Sequence, residues 1–200
     1  MSATVITMIV LMVRWEADGR DRLQKAALEL YTERGFDETT VAEIAQAAGL
    51  TERTFFRHFA DKREVIFGGQ EAFQERFITD IATAPPDAAP LDIIGSAVLA
   101  GSEFFTMERR PHSLRRQAVI AAHPELRERD LLKMASLAGA LADALRARGV
   151  PEPSATLAAE SGVVVFRVAW DQWLTDGNTR SLVDIEREAF QQLAALTERG

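Results

Sequence analysis

The chain contains no cysteine, which removes both a disulfide framework and a thiolate zinc site. Its three histidines are scattered, without ligand spacing, so no metal and no cofactor is expected. Long apolar runs are missing as well. The most apolar stretch, residues 1–13, is interrupted by Ser2, Thr4 and Thr7, is too short to cross a bilayer and has no basic segment before it. The expectation is a cytoplasmic protein with no membrane partner. Nor is there an excess of positive charge. The 23 Lys and Arg against 30 Asp and Glu leave a net charge of −7, which argues against an indiscriminate nucleic-acid binder. No nucleophile elbow, phosphate-cradling glycine loop or carboxylate pair can be found, and acids such as Asp80 and Asp92 fall on polar helix faces. The chain is therefore not expected to be an enzyme.

What is present is 200 residues with 47% hydrophobic and 26% charged content, enough for one large or two small domains. The periodic patterns are helical. Leu23, Ala26, Ala27, Leu30 and Tyr31 make an i, i+3, i+4, i+7, i+8 stripe on a helix that Asp18 or Gly19 opens and Gly35 ends. A long helix is expected over residues 62–83. Pro85, Pro86 and Pro90 break it, and are the clearest punctuation in the chain. Helical segments follow at about 91–107, 111–123, 124–148, 154–174 and 181–197. The run at residues 163–165 is β-branched and alone suits a buried strand, but nothing is available to pair with it. The fold class is all-α.

The organising stretch is residues 39–62, TTVAEIAQAAGLTERTFFRHFADK. Val41, Ile44, Ala45 and Ala48 share one face of a short helix, with Thr40 as N-cap and Glu43 completing a capping box. Gly49 supplies the left-handed stop. Thr51 caps a second helix over residues 52–58, and Asp61 with Glu64 signals another start. Two short helices around a three-residue break, with small Ala45 at the crossing, describe a helix-turn-helix. Phe36, Val41, Ile44, Phe55 and Phe59 supply its core, and the first helix completes a three-helix unit. In residues 14–69 nine Lys and Arg face eleven Asp and Glu, so even this part carries −2.

The longer string ERGFDETTVAEIAQAAGLTERTFFRHFADKREV, residues 33–65, resembles the DNA-binding segment of the tetracycline-repressor (TetR) family of bacterial regulators. The residues that carry the likeness are Arg34-Gly35-Phe36, Thr39-Thr40-Val41, Ile44-Ala45, Ala48-Gly49-Leu50, Phe55-Phe56, His58-Phe59 and Asp61-Lys62. The rest of the chain fits that family in length and helical character. The resemblance implies an N-terminal helix-turn-helix DNA-binding domain over 18–68, preceded by an arm at 1–17 that is disordered or packed on a partner. A C-terminal helical ligand-binding and dimerisation domain over 69–200 follows. It implies a ligand-responsive regulator, a repressor released from a palindromic double-stranded DNA operator by a small hydrophobic effector. An all-helical enzyme, or an adaptor bundle that uses the motif as an αα-hairpin, is the alternative.

Glu52 and Arg53 occupy the N-terminal end of the reading helix, where Arg can bond guanine O6 and N7 in bidentate fashion. Thr40 offers a hydroxyl and a helix N-terminus to phosphate. Lys62 matches the family's phosphate-contacting lysine. Thr51, Thr54, Phe56, Arg57 and His58 complete the candidate DNA-binding set. Thr40, Thr51 and Lys62 can equally be plain caps and a solvated charge. Phe56 stands where the family commonly has tyrosine; it cannot donate a hydrogen bond, and a core role is open to it.

For the effector the candidates are Phe104, Phe105, His112, Gln117, Met134, Phe166, Arg167 and Trp170, each also readable as ordinary core or surface. The last two helices carry apolar residues on more than one face. The surplus in Val163, Val164, Val168, Trp173, Phe190 and Leu193 predicts a homodimer that pairs them in a four-helix bundle. The opposing possibility buries both helices inside one subunit.

Overall fold

The computed structural model describes residues 3–197, and its elements run α1 (Ala3–Arg34), α2 (Val41–Ala47), α3 (Glu52–His58), α4 (Gln70–Thr83), α5 (Pro90–Ser102), α6 (Arg110–Ala122), α7 (Pro124–Ala147), α8 (Ser154–Leu174) and α9 (Leu182–Thr197). One 3-10 turn, Glu64–Phe67, lies between α3 and α4. No strand occurs among the described residues, and Val163, Val164 and Val165 are helical. No helix among them is long and apolar enough to cross a membrane.

The chain divides into two compact units: Met1–Gly68 with Arg115–Arg127, and Gly69–Leu114 with Glu128–Gly200. In the first unit α1 crosses α2 and α3 and buries the expected stripe, with Leu23 and Ala27 fully covered. Phe36, Ile44, Ala45, Phe55, Phe59 and Val65 fill the space beneath. Val119 and Ile120 of α6 and Leu126 of α7 join the same core. The second unit stacks α4 on α5, α5 on α8 and α9, and α8 on α9. Its core includes Phe77, Ile81, Ile94, Leu141, Ala169, Trp173 and Ile185.

Three boundaries differ from the sequence expectation. The backbone of α1 is helical from Ala3, so most of the expected arm and the expected opening at Asp18 or Gly19 lie inside one helix; Met1 and Ser2 lie outside the described residues. No proline interrupts residues 3–34, and a single glycine weakens a helix without ending it. The long helix expected from Lys62 is instead a 3-10 turn, a break at Gly68 and Gly69, and then α4. Gly69 adopts φ 92° as the residue before α4, a left-handed conformation that no continuous helix contains. Finally α5 stops at Ser102, which leaves Phe104 and Phe105 on a turn; the Phe105 N–H bonds the Ser102 carbonyl at 2.9 Å.

Candidate functional site

The helix-turn-helix is built from local hydrogen bonds. The Thr40 hydroxyl accepts from the Glu43 N–H at 3.2 Å, and a Glu43 carboxylate oxygen accepts from the Thr40 N–H at 2.9 Å, so the capping box is closed on both sides. Donation to that carboxylate by the Thr40 N–H and, at 2.8 Å, by the Thr40 hydroxyl holds the Glu43 carboxyl below its ordinary range. At the other end of α2 the Gly49 N–H reaches the Gln46 carbonyl at 2.9 Å and the Leu50 N–H reaches Ala45 at 2.8 Å. That pair of bonds is a Schellman stop, and Gly49 holds φ 65° to make it. The Arg22 guanidinium from α1 donates to the Ala48 carbonyl just before this turn. Thr51 then caps α3 through the Thr54 N–H at 3.2 Å.

This framework fixes which side of α3 faces outward. Phe55 and Phe59 are buried and anchor it, whereas Glu52, Arg53, Phe56 and Arg57 are exposed, Phe56 by 55%. Phe56 is thus not a core residue: one position after an inward Phe55, its ring is turned about 100° round the helix. Thr40 and Thr51 are exposed at the two helix N-termini, and Thr54 and His58 are half-buried.

Lys62, the candidate phosphate contact, is hydrogen-bonded within the fold. Its ammonium donates to the carbonyls of Phe36 at 2.9 Å, Thr39 at 3.2 Å and Asp37 at 3.3 Å, and lies 4.3 Å from the centre of the Phe36 ring. An ammonium has three protons, and three carbonyls take them. In this conformation Lys62 ties down the 36–39 loop that leads to Thr40. Beside it, burial pushes the Asp61 carboxyl up, but the Arg63 guanidinium and the N–H groups of Glu64 and Arg63 outweigh burial and hold it below its ordinary range. Sequence reading missed Arg22 and Tyr31 here, because each acts on a partner 26 or more residues away.

In the helical unit some effector candidates come together. The Phe105 ring is 4.9 Å from Trp170, 5.4 Å from Phe73 and 6.3 Å from Phe166. Met134 packs on the same core. Phe104 is exposed and lies under the Arg109 guanidinium, while His112 and Arg167 are also exposed. Gln117 belongs to the other unit, within Arg115–Arg127. An open groove of about 390 Å³ is lined by Ala72, Glu75, Arg76, Thr79, Asp80, Ala100 and Glu103, and includes none of the eight. A pair the sequence did not flag is deeper. The Ser102 hydroxyl donates to Glu186 at 2.6 Å, both residues are fully buried, and burial, opposed by that bond, pushes the Glu186 carboxyl up to about 8.

The six dimer candidates divide. Val163 and Trp173 are core residues of the single subunit, and Phe190 packs on that core 3.9 Å from where a Cβ on Gly95 would lie. Val164 and Val168 are 50% and 56% exposed, and Leu193 is half-buried. Leu157, 63% exposed, extends the Val164–Val168 line at helical spacing. Among the described residues no group of three or more His, Cys, Asp and Glu could hold a metal ion.

Known proteins match both units. A model described as bacterial regulatory proteins of the tetR family matches residues 23–67, and one described as the MftR C-terminal domain matches residues 88–198. The HTH-type transcriptional regulator TcmR of Streptomyces glaucescens is 41% identical over 81 residues, 40% of this chain and 36% of TcmR. The HTH-type transcriptional repressor BepR of Brucella suis biovar 1 (strain 1330) is 30% identical over 96 residues, 47% of this chain and 46% of BepR. The chain thus spans less than half the length of either relative. The fold is also similar to that of SmeT, repressor of the Stenotrophomonas maltophilia multidrug efflux pump SmeDEF, in its triclosan complex: TM-score 0.63 at 16% identity, over 89% of this chain and 90% of that one. With a capped helix-turn-helix at residues 40–58 and family models matching on either side of the Gly68–Gly69 break, the chain belongs to the TetR family of bacterial transcriptional regulators.

Proposed function

We propose that this chain is a ligand-responsive repressor that acts in the cytoplasm without catalysis. Two copies dock α3 into successive major grooves of a palindromic operator, and a small apolar effector bound in the helical unit releases them. The observation that carries the DNA reading is the outward face of α3. Glu52 and Arg53 stand at its N-terminal end, the part of a recognition helix that meets base edges, with Phe56 and Arg57 one turn on. Phe55 and Phe59 hold that face rigidly from behind. Thr40 and Thr51 place two helix N-termini beside it for phosphate.

The effector reading is supported by chain continuity. Helices α6 and α7 each carry residues of both units, and Arg115–Arg127 contributes Val119, Ile120 and Leu126 to the DNA-binding core. A shift of α6 or α7 on ligand binding repacks that core directly. The helix expected over residues 62–83 is interrupted at Gly68 and Gly69 and does not form a continuous connection. Because both ligands act on one equilibrium, the coupling is reciprocal: whatever weakens DNA binding on effector addition weakens effector binding on DNA addition by the same factor. The dimer reading rests on the exposed line Leu157, Val164 and Val168 on α8 with half-buried Leu193 on α9, apolar side chains that the subunit covers only in part.

The test is DNase footprinting of the protein on its own promoter. A protected inverted repeat with equivalent contacts a whole number of helical turns, about 34 Å, apart supports the reading. No protection at any concentration that saturates non-specific DNA overturns it.

A further inference from the structure

Two buried polar atoms in the helical unit have no hydrogen-bond partner among the described residues: Oε2 of Glu186 and Nε1 of Trp173. Both side chains are fully buried. Oε1 of Glu186 already accepts from the Ser102 hydroxyl, and burial keeps the carboxyl protonated at neutral pH. The proton then sits on Oε2, the oxygen without a partner. The core therefore offers two donors, a carboxylic O–H and an indole N–H, with no acceptor for either. Buried donors are rarely left so, because each has given up its water.

Phe105 meets Ser102, which bonds Glu186, and the ring of Trp173. Its N–H is bonded to the carbonyl of Ser102, the residue that holds Glu186, and its ring centre is 6.4 Å from that of Trp173. The ring is also lodged against Phe73, Phe166 and Trp170. Yet Phe105 is carried by a turn between α5 and α6, and its neighbours Phe104 and Met107 are 46% and 40% exposed. Packing alone, without a helix behind it, keeps this ring in place.

Resting on the effector reading above, we propose that the Phe105 position is the effector subsite. An uncharged aromatic molecule bearing a carbonyl-type oxygen displaces the Phe105 ring. Its own ring packs on Phe73, Phe166 and Trp170, and its oxygen accepts from Glu186 and Trp173. An ammonium ligand fits less well, since it requires the buried carboxyl to ionise. An anionic ligand buries a charge among the rings of Phe73, Phe166 and Trp170.

Equilibrium dialysis of the full chain with 2-acetylnaphthalene, 2-ethylnaphthalene and 1-(2-naphthyl)ethylamine tests this. The ketone is expected to bind at least about tenfold more tightly than the hydrocarbon, the gain of satisfying buried donors. Glu186→Leu should remove that advantage and leave the hydrocarbon unchanged, and Glu186→Gln, which keeps a donor, should retain most of it. Phe105→Ala should tighten both neutral probes, and circular dichroism of each variant shows that it is folded. Equal affinity for ketone and hydrocarbon, tightest binding of the amine, or no ketone binding even to folded Phe105→Ala overturns the proposal. Ketone binding that depends on Glu186 but leaves operator affinity unchanged supports the subsite and instead refutes the ligand-responsive reading.

Discussion

The hydroxyl of Tyr31, the chain's single tyrosine, donates a 2.5 Å hydrogen bond to the backbone carbonyl of Lys62, and the Lys62 ammonium turns back onto the 36–39 loop. Burial, with Asp61 adding to it, pushes the Tyr31 hydroxyl well above its ordinary range, so it stays protonated and a donor at neutral pH. Through this pair α1, the loop before α2 and the turn after α3 are tied together. The assembly that presents α3 depends on it.

Arg53 and Lys62 should therefore fail differently when replaced by alanine. Arg53→Ala is expected to relax base preference at one operator position by about 1–3 kcal/mol and leave thermal stability unchanged. Lys62→Ala leaves three carbonyls without their donor and should destabilise the fold by about 1–3 kcal/mol. Its effect on DNA binding should follow the loss of folded protein, with no change in the salt slope. A salt slope lowered by about one, with full stability, would restore Lys62 to a phosphate contact.

Gly49→Ala tests the turn. The residue holds φ 65°, and an added Cβ would lie 2.8 Å from the Arg22 guanidinium. The left-handed backbone alone costs an alanine about 1–2 kcal/mol, while Arg22 can swing aside and lose its bond to Ala48. A lower melting temperature together with weaker operator binding is expected; unchanged melting would show that the turn is not held as described.

Glu186 sets a pH dependence. Its folded value, about 8, lies above the ordinary 4.5, so the native state holds the proton more tightly than the unfolded chain does. The native state is then penalised as pH rises from about 4.5 to about 8, and the penalty is constant above that. The slope is about 1.4 kcal/mol per pH unit within the window. Glu186→Gln lacks the ionisation. Urea unfolding of both proteins at pH 5 and pH 8 should show the variant gaining a few kcal/mol relative to the parent at the higher pH; equal differences at the two pH values would place the carboxylate in a solvated setting.

Val163 and Val164 are sequence neighbours with opposite fates. Val164→Arg, at an exposed position, should give a folded monomer by sedimentation that no longer retains a palindromic operator. Val163→Arg forces a charge into the subunit core, where Val163 is 5% exposed, and should prevent folding. A Val164→Arg protein that stays dimeric removes α8 from the interface.

The helix-turn-helix was legible residue by residue because its determinants act over three to five positions. Thr40 with Glu43, Thr51 with Thr54, Gly49 with Gln46 and Leu50 with Ala45 are all bonds between residues three to five positions apart. The same holds for α8, whose bounds of Ser154–Leu174 coincide with the apolar pattern, and for the stop of α7, where the Val150 N–H finds the Leu145 carbonyl across Gly149. Phe104 and Phe105 were misread as helical because nothing within a few residues of them stops a helix.

The sequence by itself determined the all-helical class and the helix-turn-helix with its stop at Gly49, since periodicity, caps and a left-handed glycine are local properties of the chain. Tertiary structure alone decided what Lys62 bonds, which of Val163 and Val164 is covered, that Arg115–Arg127 joins the DNA-binding core, and that Ser102 and Glu186, 84 residues apart, share a buried hydrogen bond. Each of these depends on which apolar faces are brought together. Burial is non-directional, so one stripe of residues can meet many partners, and only the packed fold selects among them.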